Sequence, residues 1–188
     1  MAGTIDSLRS DHSRLTKLLD ALERQVGRFE DGGLLDFEIA DGVLHYCRSH
    51  PDRHHHPCEE LMFDALRRRN AAAAERLGDL RAEHARLAAL AAAFGTALAA
   101  VEQDVPMERE DFVAAARAFL GGYRHHILME EKHVFPAAER SLTPEDWRAI
   151  RAQLPEAPDP LFEHRQDQRF EALYRDIVAW DRQLPAGI

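Results

Sequence analysis

The chain has 188 residues, enough for one domain with a sizeable core and cramped for two. Its 24 Lys and Arg against 33 Asp and Glu give a net charge of −9, which argues against nucleic acid or an anionic membrane surface as the main partner. No apolar run approaches the roughly 20 residues of a membrane span, and the opening "MAGTIDSLRSDHSRL" lacks a signal-peptide core, so the protein is expected in the cytoplasm.

Ala, Leu, Glu and Arg dominate and no stretch alternates β-branched residues, so the expected fold class is all-α. A first helix is predicted from about Thr4 to Phe29, with Ile5, Leu8, His12, Leu15, Leu19, Leu22 and Val26 at three- and four-residue steps and "DGG" as its stop. A second starts near Leu34, is interrupted or kinked at Pro51, and resumes through "HHHPCEELMF" to about Arg69. A third spans roughly Ala71 to Glu102 and a fourth Glu108 to Arg140. Residues 1–142 are thus predicted to form a four-helix bundle. In the extension 143–188, Thr143 caps a helix opening at Pro144, and a Pro-rich loop leads to a last amphipathic helix ending near Gln183. Cys47 and Cys58, with no CxxC spacing, are read as buried or idle thiols of a reducing compartment.

The first and third helices share acid-His-x-Arg-Leu-x-x-Leu, in "DHSRLTKLLDAL" and "EHARLAALAAAF", and in both a histidine interrupts an apolar stripe. The second and fourth match as "HHPCEE" and "HHILMEE". His12 to His84 and His55 to His126 are separated by nearly equal intervals, as expected of two helical hairpins of one design stacked about a pseudo-twofold axis. Positions four apart on a helix differ by only about 40° in direction, so His55 with Glu59 and His126 with Glu130 each aim at one point. Four imidazoles and two carboxylates converging in a core cost several kcal/mol per uncompensated charge. A metal cation removes that cost, and carboxylates that bridge, together with a nitrogen and oxygen donor mix, point to a pair of irons between four helices.

At these residues the sequence resembles the hemerythrin family, including its bacterial branch, the HHE cation-binding domain. The resemblance covers about Ile5 to Arg140 and is carried by His12, "HHPCEELMF", "EHARL" and "HILMEEKHVFP" in that order. It implies an up-down-up-down bundle holding two non-haem iron ions bridged by two carboxylates and an oxo or hydroxo group. It implies binding or sensing of dioxygen, iron, or reactive oxygen and nitrogen species. By position, His12 and His55 would hold one iron, His84 and His126 the other, and Glu59 and Glu130 would bridge. The oxygen carriers have a second histidine four residues after the one on the third helix, where this chain has Ala88. Their fourth-helix carboxylate is an aspartate five residues after its histidine, where this chain has Glu130 at four. His56 is a candidate for the absent ligand, because Glu59 lies about 40° from His55 and about 60° from His56, so the two histidines can flank it and reach different irons.

The remaining polar residues take quieter roles. Glu60 and Glu131, turned about 100° from Glu59 and Glu130, are expected on the solvated surface, as are His45, His50, His54, His125 and His164. His133 lies two turns beyond His126 and is a candidate to hydrogen-bond a ligand. Leu15, Met62, Leu87, Phe119 and Met129 are assigned to the core. The segment from Thr143 is read as a capping helix or homodimer contact. A di-iron enzyme handling peroxide or nitric oxide, and a metal-gated interaction protein, are alternatives to a binding or sensing protein; a ferritin-like oxidase is less suited, since only Glu130 and His133 match its Glu-x-x-His pattern.

Overall fold

The computed structural model describes residues 2–49, 55–154, 171–172 and 174–179, and among these all regular structure is helical. The elements are α1 (Ala2–Glu30), α2 (Phe37–Ser49), α3 (His56–Arg69), α4 (Ala71–Leu77), α5 (Leu80–Glu102), α6 (Arg109–Met129), a π-helical turn (Glu130–Val134), α7 (Phe135–Ser141) and α8 (Pro144–Gln153). Contacts close a ring, α1 on α2, α2 on α5, α5 on α6 and α6 on α1, while α3 packs on α4, α5, α7 and α8.

Helix ends are fixed by local chemistry. At the end of α1 the Gly33 N–H donates to Arg28 O at 2.9 Å and the Gly32 N–H to Phe29 O at 3.1 Å, with Gly32 at φ +92°. A Cβ on Gly33 would sit 2.9 Å from Arg28 O, so the "DGG" stop needs both glycines. The end of α5 repeats the motif, with Asp104 at φ +53° and the Val105 N–H donating to Ala100 O at 2.9 Å. Before α2, Asp36 Oδ1 accepts from the N–H groups of Glu38 and Ile39, so the helix opens slightly later than the predicted Leu34. Thr143 and Asp146 cap α8 reciprocally, as the Thr143-Pro144 start predicted.

Two predicted helices are divided. The third is cut at Gly78, φ +84°, after which Asp79 caps a new helix by accepting from the Ala82 N–H. The stretch Ala71–Glu102 is nevertheless long and apolar enough to cross a membrane by length and composition, which the sequence reading denied of any segment. The fourth is widened by the π turn, in which the Phe135 N–H donates to Glu130 O, five residues back. Pro136 is the cause: it has no N–H for the Lys132 carbonyl, and its ring would strike that carbonyl in a regular helix. The predicted break at Pro51 and the Pro-rich loop lie outside the described residues. Residues 174–179 are helical, and Ile177 is fully buried in the larger core.

Two apolar cores result. The larger joins α1, α2, α5 and α6 through Leu18, Leu22, Ile39, Phe94, Phe112 and Phe119. The smaller joins the start of α1 to α3, α7 and α8 through Leu8, Met62, Phe63, Leu66, Phe135 and Trp147. Between Leu8 and Leu15 on α1 stands His12, and between Leu80 and Leu87 on α5 stands His84. The two cores therefore clamp a polar layer at one level of the bundle. Both cysteines are buried free thiols, and burial pushes the Cys58 thiol up to about 11.

Candidate metal centre

Seven side chains predicted as ligands meet in this layer. His12, His55, Glu59 and Glu130 form one group and His56, Glu59, His84 and His126 another, each offering donor atoms within 4.8 Å of one another. Glu59 belongs to both. Its Oε1 lies 3.0 Å from His55 Nε2 and 3.9 Å from His12 Nε2, and its Oε2 lies 3.5 Å from His84 Nε2. Glu130 Oε2 lies 3.2 Å from His12 Nε2 and 3.3 Å from His126 Nε2, so it too touches both groups. His56 is half-buried, its ring stacked on that of His84 at 3.9 Å with only 20° between the planes.

Each element aims its ligand for a local reason. Pro57 occupies the first turn of α3, where a missing N–H costs no hydrogen bond, and starts the helix that sets His56 and Glu59. In a regular helix Phe135, five residues after Glu130, would point about 140° away from it. The wider π turn buries both, and the Phe135 ring stacks on His12 at 5.4 Å and 11°.

Carboxylates outside the ligand set hold the imidazoles. His12 Nδ1–H donates to Glu131 Oε1 at 3.0 Å, His55 Nδ1–H to Asp11 Oδ2 at 3.2 Å, and His84 Nδ1–H to Glu60 Oε1 at 3.4 Å. These bonds direct Nε2 of each ring into the layer. Glu131 also accepts from Arg9 at 3.2 Å and Glu60 from Arg81 at 2.9 Å. The expectation that Glu60 and Glu131 are solvated is thus corrected: each is half-buried, because histidines from other helices reach across to them. Asp11 was not among the candidates, although it immediately precedes His12 in the repeated acid-His pair. His133, the expected hydrogen-bonding partner, is exposed on the widened turn; His45 and His125 are exposed as expected, and His50, His54 and His164 lie outside the described residues.

The electrostatics of the layer are unbalanced. Both oxygens of Glu59 and of Glu130, and Nε2 of His84 and of His126, are buried without a hydrogen-bond partner. The 3.0 Å approach of His55 Nε2 to Glu59 is a charge contact whose angles do not make a hydrogen bond. Burial opposes the charge on Glu59, but His55 and the other imidazoles outweigh it and hold the carboxyl well below its ordinary range. Burial and the neighbouring Glu59 charge push Glu130 well above. Burial drags His126 down to about 3, whereas for His55 the burial penalty is overcome by Glu59 and Asp11, raising it to about 9. His12 Nε2 and His55 Nε2 lie 3.1 Å apart.

A cation in each group answers these defects. Bonds of about 2.0–2.2 Å put opposite donors about 4 Å apart, close to the 4.8 Å spread of each group. The unpartnered oxygens and nitrogens would then be its ligands. An imidazole and carboxylate mixture without thiolate suits iron or zinc, and a carboxylate reaching both groups suits a pair of ions.

Residues 3–138 match the family described as hemerythrin HHE cation binding domain. Comparison with curated proteins and with solved structures returned no match.

Proposed function

Because the chain belongs to the hemerythrin HHE cation-binding family, we propose that it holds two iron ions in this layer and uses them to bind or sense dioxygen or a related small oxidant. The observation that carries the proposal is Glu59, a fully buried carboxylate whose two unpartnered oxygens face different histidine groups. His12 and His55 would hold one ion and His56, His84 and His126 the other, with Glu59 and Glu130 as bridges. His56 then stands in for the ligand missing at Ala88. The ring of contacts among α1, α2 with α3, α5 and α6 supports an up-down-up-down bundle as the scaffold. The buried free thiols suit a cytoplasmic setting.

When bound, the ions supply reversible electron donation to a small oxidant. The first group offers two histidines where the second offers three, so it has room for an added ligand. A pocket walled by Leu15, Tyr46, Tyr123 and Ile127 is lined also by His12 and His55 of the first group and His56 and His126 of the second, and its largely apolar surface suits a small neutral molecule. Asp11 and Glu131 keep the His55 and His12 rings oriented toward that pocket floor.

Metal analysis of protein purified without an affinity-tag metal tests the proposal. About two irons per chain are expected after iron-replete expression; one zinc and no iron would overturn it. Repeated cycles of dioxygen and vacuum then divide the functional readings, because a reversible spectrum marks binding and net consumption of oxidant marks an enzyme.

A further inference from the structure

A second cavity reaches the centre, sharing only His126 with the Tyr46 and Tyr123 pocket, and its chemistry differs. Its walls are Phe63, Leu80, Met129 and Val134, and its lining includes His126 and Glu130 of the metal layer and Glu83 of α5. Glu130 is 1% exposed and Glu83 half-buried, so the cavity runs from the protein surface to a buried carboxyl. Both Glu130 oxygens and His126 Nε2 lack hydrogen-bond partners. The opening exists because the chain breaks at Gly78: Leu77 and Leu80, on either side of the break, both line it.

A charged cleft adjoins this cavity, sharing Phe63 and Leu80 with it. There Glu60 and Asp64 are paired to Arg81 at 2.9 Å each, and Asp79 and Arg67 complete the charged lining. In the Tyr46 and Tyr123 pocket the only lining carboxylate is Asp11, which accepts from His55. The two approaches to the centre therefore differ in polarity. A cation entering on this side meets the Glu83 carboxylate, 3.6 Å from Arg86, and then the unpartnered oxygens of Glu130. The aromatic side is the more apolar of the two.

We propose that the cavity between Glu83 and Glu130 is the loading route for divalent cations, with Glu83 capturing the ion at the mouth and Glu130 and His126 receiving it. The proposal rests on the reading that the centre holds iron, and it separates the path of the metal from the path of the small oxidant.

The test is anaerobic stopped-flow loading of the metal-free full chain with ferrous ion, the unbound ion being trapped by a chromogenic chelator. Met129→Trp fills the passage and is expected to slow loading about 10-fold while final iron content and helical circular dichroism match wild type. Glu83→Lys should slow it by a factor of about 3 to 10, with the difference shrinking at high salt. Met129→Ala should load at least as fast as wild type, and Ile127→Trp, which narrows the other pocket, at the wild-type rate. Equal rates for wild type, Met129→Trp and Glu83→Lys would overturn the route, as would an equal slowing by Ile127→Trp. Should Met129→Trp fail to fold, the Glu83→Lys and Ile127→Trp rates decide the matter. A wild-type protein that takes up no iron at equilibrium would instead defeat the iron reading itself.

Discussion

Replacing Glu130 with glutamine separates the carboxylate's role in the metal layer from its role in packing. In metal-free protein, burial and the Glu59 charge keep the Glu130 carboxyl well above its ordinary range, which favours its protonated form. Glutamine copies the size of the protonated side chain, whose oxygens lack hydrogen-bond partners here. The metal-free melting temperature should therefore change by less than about 3 °C, the equivalent of roughly 1 kcal/mol in a chain of this length. With iron the comparison reverses. An ion present at 100 to 1,000 times its dissociation constant stabilises the fold by about 2.7 to 4.1 kcal/mol, and two ions by about twice that. At about 2–4 °C per kcal/mol, wild type should gain on the order of 10–30 °C on loading, and Glu130→Gln should lose at least one ion's share, about 5–16 °C. Differential scanning calorimetry with and without ferrous ion, beside metal analysis of the same samples, gives both quantities. A variant that retains two irons and the full loaded melting temperature would show that Glu130 is not a ligand. A large drop in the metal-free protein would show that its role is structural.

Removal of His56 should cost the second ion only: His56→Ala is expected to retain about one iron, and two irons with an unchanged spectrum would remove it from the ligand set. Glu131→Ala and Glu60→Ala release the Nδ1–H groups of His12 and His84, and loss of such a partner lowers metal affinity by about 10- to 100-fold; competition with a chelator measures this, and His133→Ala, at an exposed position, should behave as wild type. Asp146 accepts from Arg69 and from the Thr143 N–H, and these bonds hold its carboxyl at about 2, below the ordinary 3.8. Because the folded value is depressed, this contribution is present above about pH 4 and disappears as pH falls toward 2. The melting gap between metal-free wild type and Asp146→Ala should be constant from neutral pH to about 5 and then close, and a gap that persists to pH 2 would contradict the assignment.

The seven inward-facing groups were legible because helical geometry is local. At about 100° per residue, a histidine in a row of leucines must enter the core with them, and a glutamate four residues after a histidine must follow it. His12 between Leu8 and Leu15, and His84 between Leu80 and Leu87, needed no knowledge of the neighbouring helix. The glycine stop after α1 and the Thr143 cap were legible for the same reason. The sequence also carried unread local signals: Gly78 followed by a capping Asp79 marks the break before α5, and Pro136 marks the π turn that buries Phe135 beside Glu130.

Tertiary structure alone decided the lateral relations. Glu60 and Glu131 sit beside inward residues on their own helices and look solvated there. They became hydrogen-bond acceptors because His84 and His12, far away in sequence, arrive from other helices at matching height. Asp11 is engaged by His55 in the same way. The division of the candidate ligands into two groups sharing Glu59, and the cavity that opens at the α4 to α5 break, also depend on how helices lie against one another. Side-chain direction along a helix follows from the peptide geometry of that segment, whereas the partner a side chain meets is fixed by the packing of two apolar cores above and below the polar layer.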